Sequence, residues 1–513
     1  MEVIPVGHAL DVLKDYALTE DRNCDGYPCF HRDWKEEYLQ MLVTNTVSQV
    51  FYASTEIELG RAIEMHRFAA DEDPEFMARA LVYARNEGFM RLQPLIGLAV
   101  LSLASPRLFE LVFDKVVRIL PDLTEFTVAL ASLGRGQGGR VVKRAAARKL
   151  AALTEYEVLK YAGEGRGYSL RDLLRVYHPK AADEKSTLLF KYIADKLDWS
   201  EVPAEALPQV RAFEKLKALG ANQTAEAITL AGEYRLPYNV VTGAVAKMTP
   251  ELWRALLSDL PLFALVRHLA ALERCGVITE DECDSRIVDR LTNPEAIRKA
   301  KILPFRFAQA WQQVQTGWLK EALEKAVDLS VDCLPEISGK TAVLLDASGS
   351  MDGQFLTAGA VLALAVYHRA GAKGNFILFD TEAKVFDMAV NGSILAAAAK
   401  VCAGGGTDTA CGIRLMMKNH FRVDNIVIVT DEQQNTGSPF YTELRHYRAI
   451  LNPNARAFIV DVAPYGTAMV PADDPLTSYC FGWSDNIVSY IAQSSADLGG
   501  LVCRVENMEL QPR

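Results

Sequence analysis

Asp346, Ser348 and Ser350 stand in the pattern D-x-S-x-S at the end of a mostly apolar run, within the stretch TAVLLDASGSM from Thr341 to Met351. A short apolar run that stops at polar residues predicts a buried strand, so a carboxylate and two hydroxyls leave one strand end together. All three are oxygen donors, which suits a hard divalent cation that keeps positions open for water or a partner's carboxylate. Two further oxygen donors follow in comparable places: Thr407 in GGGTDT, and Asp431 after the apolar run in NIVIVTD. D-x-S-x-S by itself also occurs in turns and helix caps. The order of strand, motif, glycine-rich threonine loop and strand-end aspartate is what points to a cation, with Mg2+ the natural choice.

A different chemistry is concentrated between Arg135 and Lys180, where eleven Lys or Arg face four Asp or Glu in a chain of formal net charge −10. Here GRGQGGRVVKRAAARKL reads as a glycine-rich turn leading into a helix. Arg140, Arg144 and Arg148 fall at i, i+4 and i+8, on one helical face with Lys143 beside them. No acidic residue lies within reach on the same helix, so that face is expected to be free to neutralise phosphates. The following segment, LKYAGEGRGYSLRDLLRVYHPK, adds Lys160, Arg166, Arg171, Arg175 and His178, interleaved with Tyr161, Tyr168 and Tyr177. Aromatics among cations suit single-stranded RNA, whose bases stack while its backbone is held. The plainer alternative is a solvated basic helix whose tyrosines pack in the core.

The elements that must carry these residues differ in the two halves of the chain. From about Asp33 to Lys325 the apolar period is helical, in segments of about ten to twenty residues such as ELGRAIEMHRFAA, PEFMARALVYARNEG and PLFALVRHLAALERC. Antiparallel pairs of about forty residues fit the spacing, which predicts an irregular α-solenoid of the HEAT type; a compact all-α bundle is the alternative. After Leu334 and Pro335 strands alternate with helices, from TAVLLDA through NFILFD, AKVFDM, NIVIVTD and RAFIVDVAP to a last strand near Leu501 to Val505. That alternation predicts a doubly wound parallel sheet with Asp346, Thr407 and Asp431 at the carboxyl ends of its strands, where such sheets bind ligands. The expected organisation is an all-α domain over 1–335 and an α/β domain over 336–513.

Composition narrows the function. With 513 residues, half of them hydrophobic, the chain is long enough for several cores. Nine cysteines form no C-x-x-C pair. Cys24 and Cys29 could form half a zinc site, although reduced structural thiols are the simpler reading. No secretory signal is evident at the amino terminus, and the longest apolar run is about half a membrane span. A soluble cytoplasmic protein is expected. Phosphate-loop, H-E-x-x-H and G-x-S-x-G motifs are absent, as are carboxylates clustered for a two-metal nuclease. These absences argue against an enzyme.

The cation set and its order resemble the metal-ion-dependent adhesion site of a von Willebrand factor A domain. With a helical-repeat region preceding it, nearly the whole chain resembles the Ro ribonucleoprotein family, the TROVE-domain proteins, in its bacterial form. The likeness rests on the helix start at Gly139 to Ala145, the Lys160 to Lys180 segment, LPLFALVRHLAAL, LTNPEAIRKAKILPF, and the DASGSM, AGGGTD and VTDEQ pieces. It implies a ring of HEAT-like helices closed by the A domain. The ring's hole would take single-stranded 3′ ends of misfolded small RNAs, and its outer basic surface would bind a Y RNA. Carried over, the RNA contacts are Arg140, Lys143, Arg144, Lys160, Arg166 and His178; the charge pattern adds Arg135, Arg148 and Arg171. A monomer is expected, with an exoribonuclease as a partner and an acidic protein ligand for the cation. A scaffold that grips such a ligand, with incidental RNA binding, is the competing function.

Overall fold

A computed structural model describes residues 21–31, 33–44, 55–136, 138–161, 167–281, 283–302, 304–371, 374–386, 392–463, 465, 467–471, 474–482, 486–494 and 501–510. Nineteen helices, from Trp34–Thr44 to Gly317–Asp332, make up the described part of the amino-terminal region. Pro106–Val116 shows why such segments are helical. Ser105 caps its first turn, Pro106 starts it, and Leu108, Phe109, Val112, Phe113 and Val116 are buried in one stripe. Phe109 and Phe113 meet Phe126 of helix Leu120–Ser132, with ring centroids 5.8 and 6.0 Å apart. Most helices pack on the next or the next but one along the chain, and a few reach further, as Leu262–Arg274 does to Pro304–Gln313; this is the stacking of a solenoid rather than of a compact bundle.

The carboxyl-terminal region holds a six-stranded sheet. In chain order its strands are β2 (Thr341–Asp346), β3 (Phe376–Phe379), β4 (Ala383–Val385), β5 (Asn425–Thr430), β6 (Arg456–Asp461) and β8 (Thr477–Phe481). They lie in the spatial order β4-β3-β2-β5-β6-β8. β2 and β5 are apolar through their central positions because both their faces are covered. The two faces belong to different cores. Ala342, Leu344, Ile426 and Ile428 join one continuous cluster with the early helices, including Leu39, Leu42 and Phe76. Val343, Leu345, Val427 and Val429 join another with the late helices, including Leu269, Phe307 and Val327. The sheet is therefore clamped between the two ends of the helical run, which closes the ring.

Polar contacts repeat that closure. At the early end Gln40 Nε2 donates to Asp461 Oδ2 at 2.5 Å and to Ala463 O at 3.0 Å, and Arg504 pairs with Glu87 at 2.6 Å. At the late end Asp328 accepts from the Ile394 N–H at 3.2 Å, and His368 meets Asp332 at 3.0 Å. A short antiparallel pair, β1 (Phe30–His31) with β7 (Thr467–Ala468), ties the amino-terminal segment to the A domain.

Two expectations need correction. The sheet is mixed, because β4 runs antiparallel to β3. Leu501–Glu506 is a helix, not the last strand: Leu501 and Val505 are buried one helical turn apart, and Arg504 reaches Glu87. The last strand is instead β8, whose TSYCF pairs in parallel with β6.

Candidate cation site and candidate nucleic-acid interface

The ends of β2 and β5 are neighbours, and this brings two carboxylates together. Asp346 closes β2 and is fully buried; its Oδ1 accepts from the Ser348 N–H at 2.9 Å, and its Oδ2 from the Thr430 hydroxyl at 2.6 Å. Asp431 follows β5 and is buried too, with Oδ1 accepting from the Gln433 N–H at 3.2 Å. Its Oδ2 is enclosed and meets no donor in hydrogen-bond geometry among the described residues, although the Ser350 hydroxyl acts on the carboxyl from nearby. Ser348 and Ser350 hydroxyls lie 3.3 Å apart.

Burial pushes both carboxyls above their ordinary range. Asp380 adds to this at Asp346, and Asp346 adds to it at Asp431, while hydroxyls and backbone N–H groups work the other way. Among the described residues no basic side chain forms an ion pair with either. Two dry carboxylates, one with an oxygen in no hydrogen bond among the described residues, form an environment that a divalent cation would relieve. Such a donor set would suit Mg2+, and Asp346, Ser348, Ser350, Thr407 and Asp431 are the residues that would hold it.

The loop that carries Thr407 lies against the segment after β2. The Gly404 N–H donates to Ala347 O at 2.8 Å, and the Gly349 N–H donates to Gly405 O at 3.2 Å. Gly405 takes φ +74°, a left-handed conformation, and an added Cβ there would face Asp380. On its other side the Thr407 N–H donates to Asn435 Oδ1 at 2.9 Å. Asn435 in turn donates to Asp25 at 3.1 Å, so the amino-terminal segment lies against the same loops. Asn23 and the Cys24 N–H bind Gln434 and Gln433 beside it. Cys29 is a buried thiol pushed up to about 11, mainly by desolvation. Sequence reading missed Thr430 and Asp380. Both stand where apolar strands end, in IVIVT and FILFD, the one signal that marked them.

The basic stretch is only partly as expected. Helix Gly139–Ala151 forms, entered through Gly134, Gly136 and Gly138 at positive φ. Its arginine face is not free. Arg144 meets both oxygens of Glu110 at 2.9 and 3.0 Å, and Arg148 meets Asp114 at 2.7 Å, the acids coming from helix Pro106–Val116. Arg140 and Arg135 are exposed and Lys143 half-buried, with no ion pair among the described residues.

Further along, Lys160 lies over the rings of Tyr156 and Tyr161, at 5.2 and 5.4 Å. Arg166 falls outside the described residues. Arg171 pairs with Asp195, and Arg175 with Asp172 at 3.7 Å. His178 is exposed at the end of helix Leu170–Tyr177, in a left-handed conformation. Tyr177 cannot stack on a base: it is buried, and its hydroxyl sits 2.8 Å from Thr127. A cavity of about 560 Å³ opens beside Arg171, lined also by Trp199 and Lys217. Its cations are matched by Asp195 and Glu214.

The chain is similar to known proteins in sequence and in fold. The TROVE domain family matches residues 244–325. Over 439 residues the chain is 26% identical to the RNA-binding protein Ro60 of Deinococcus radiodurans, covering 78% of this chain and 80% of that protein. The crystal structure of the Ro (RSR) protein of Deinococcus radiodurans matches with a TM-score of 0.68 at 22% identity, covering 90% of this chain and 100% of that one. That last likeness is one of fold.

Proposed function

We propose that this chain is a bacterial-type member of the Ro family and a non-catalytic RNA-binding ring protein of the cytoplasm. It takes single-stranded 3′ ends of misfolded small RNAs in its central hole, holds a Y RNA on its outer basic surface, and serves RNA quality control. The observation that carries this reading is the start of helix Gly139–Ala151. There Arg140 and Lys143 have no acidic partner among the described residues, in a chain whose net charge is −10. An acidic exterior with a few unmatched cations confines attraction for phosphates to one place. A relative of 78% coverage bears the name of an RNA-binding protein, which supports the same reading. An exoribonuclease is the expected partner for RNA delivered in this way, and the protein acts as a monomer.

Selection would follow shape: a flexible tail enters a narrow passage, and a duplex does not. The test compares a duplex bearing a single-stranded 3′ extension with its blunt counterpart in a filter-binding assay. Tighter binding of the extended duplex is expected, with at least a tenfold loss when Arg140, Lys143 and His178 are changed together to Ala. Equal affinity for both duplexes would sink the sorting role.

A second reading is favoured by the unsatisfied oxygen of Asp431. Bound Mg2+ would supply an electrophilic position for a carboxylate oxygen of an acidic protein ligand, and the helices would act as a scaffold. A purified partner whose binding survives ribonuclease and is lost with EDTA would establish this activity.

A further inference from the structure

Helices Leu262–Arg274 and Pro304–Gln313 enclose a cavity of about 430 Å³, lined by Phe263, Arg267, Arg306, Gln309 and Gln313 among others. Both arginines are exposed, and neither forms an ion pair among the described residues. The local sequence explains why. PFRFAQAWQQ contains no acid, and the single acid of LFALVRHLAALER, Glu273, is spent on the N–H groups of Gln315 and Thr316 at 3.0 and 2.6 Å.

Arg306 is held in place: its guanidinium lies 4.7 Å from the Phe305 ring centroid and donates to Gln309 Oε1 at 3.0 Å. Partial desolvation, which still leaves Arg306 open to solvent on one side, and then Arg267 push Arg306 down, and the same pair of causes acts on His268. Arg267 thus raises the potential on two neighbours. At helix Gly139–Ala151, by comparison, Glu110 and Asp114 match Arg144 and Arg148, while Arg140 and Lys143 have no ion pair among the described residues. Two guanidiniums left facing one cavity mark a place for an anion. Phe263 at its rim is 42% exposed, a flat apolar surface offered to solvent, and the amides of Gln309 and Gln313 can both donate and accept.

We infer that this cavity is a nucleotide-binding site, in which Arg267 and Arg306 grip a phosphate, Phe263 stacks on the base, and the two glutamines meet its polar edge. Its size suits one nucleotide. The site belongs to a different pair of helices from the basic stretch at 135–180. The same chemistry arises from a free nucleotide or from one residue of an RNA strand. The choice of the strand rests on the RNA-binding reading above.

The test follows fluorescence anisotropy of a 3′-labelled uridine dodecamer over a range of salt concentrations, with AMP binding measured separately by calorimetry. For Arg267→Gln/Arg306→Gln the strand is expected to bind about tenfold more weakly, with a salt slope shallower by about 0.7 for one phosphate released. Phe263→Leu is expected to weaken binding about fivefold with the slope unchanged. AMP binding lost in the double variant, with no dodecamer binding even to the unaltered protein, would retain the pocket and overturn the RNA reading. Unchanged affinity and slope, together with no AMP binding, would overturn the pocket. Should the double variant fail to fold, ultraviolet crosslinking of 4-thiouridine RNA to the unaltered protein decides. Crosslinks at Phe263 or within 304–313 support the site; crosslinks confined to other segments, with no AMP binding, refute it.

Discussion

Among single residues, Asp346 and Asp431 were legible because each ends an apolar strand, a pattern that a sequence carries within eight residues. Thr430 and Asp380 end apolar strands as well, but that local signal does not tie them to Asp346: they act on it from β5 and after β3, and only strand order makes them its neighbours. On the proposed cation site, Asp346→Ala is expected to abolish Mg2+ binding in calorimetry while far-ultraviolet dichroism stays unchanged, since the helices do not depend on that carboxylate. Asp122 was likewise invisible, a buried acid among leucines. It accepts from Arg85 at 2.8 Å, Arg91 at 2.7 Å, and the Arg118 and Ile119 N–H groups at 2.9 and 3.0 Å. Burial works to raise its carboxyl, but the Ile119 N–H and the two arginines win and hold it below the ordinary range. Its stabilisation is therefore complete above about pH 4, where the unfolded carboxylate is ionised, and is lost as pH falls through its lower folded value. Asp122→Ala should cost about 3 kcal/mol in urea unfolding at pH 7, because two arginines lose their buried partner. That deficit should narrow under acid; an equal deficit at pH 7 and pH 3 would refute the charge-based account.

At the scale of elements, helical period located the solenoid and apolar runs located the central strands, because burial on one stripe or on both faces leaves a local trace. Short peripheral elements left a weaker one. LVCRVE has the β-branched content of a strand, yet docking on helix Pro74–Asn86 selects a helix, while TSYCF became β8 because β6 offers it an edge. Pairing between helices leaves no trace in a window of one helix. Glu110 and Asp114 stand 34 residues before Arg144 and Arg148, and they convert an expected phosphate-binding face into two exposed ion pairs. Such pairs hold the arginines at a cost in stability, when lost, of under about 1 kcal/mol. Glu110→Gln/Asp114→Asn should therefore leave the melting temperature within a few degrees and release two cations. Single-stranded RNA should then bind more tightly, with a steeper salt dependence. An unchanged salt slope would place this face outside the RNA path.

For the whole molecule, closure depends on contacts between residues hundreds of positions apart, which no local pattern reports. The early helices and the late helices each share a core with one face of the same sheet, so the A domain is structurally part of both ends of the solenoid. Such an arrangement should unfold as one unit. Gln40 stands at the early seam, 1% exposed, with its amide on Asp461 and on the Ala463 carbonyl. Gln40→Ala removes the donor and leaves a buried carboxylate short of a partner, a loss of about 1 to 3 kcal/mol concentrated at that seam. Calorimetric melting should then change from one transition to two, the early helices separating from the sheet before the late helices do. If RNA sorting needs a closed passage, the same variant should bind a blunt duplex and an extended one with more nearly equal affinity. A melting profile that stays single and merely shifts would mean that the apolar core alone holds the ring shut, and discrimination between the two duplexes should then be unaltered.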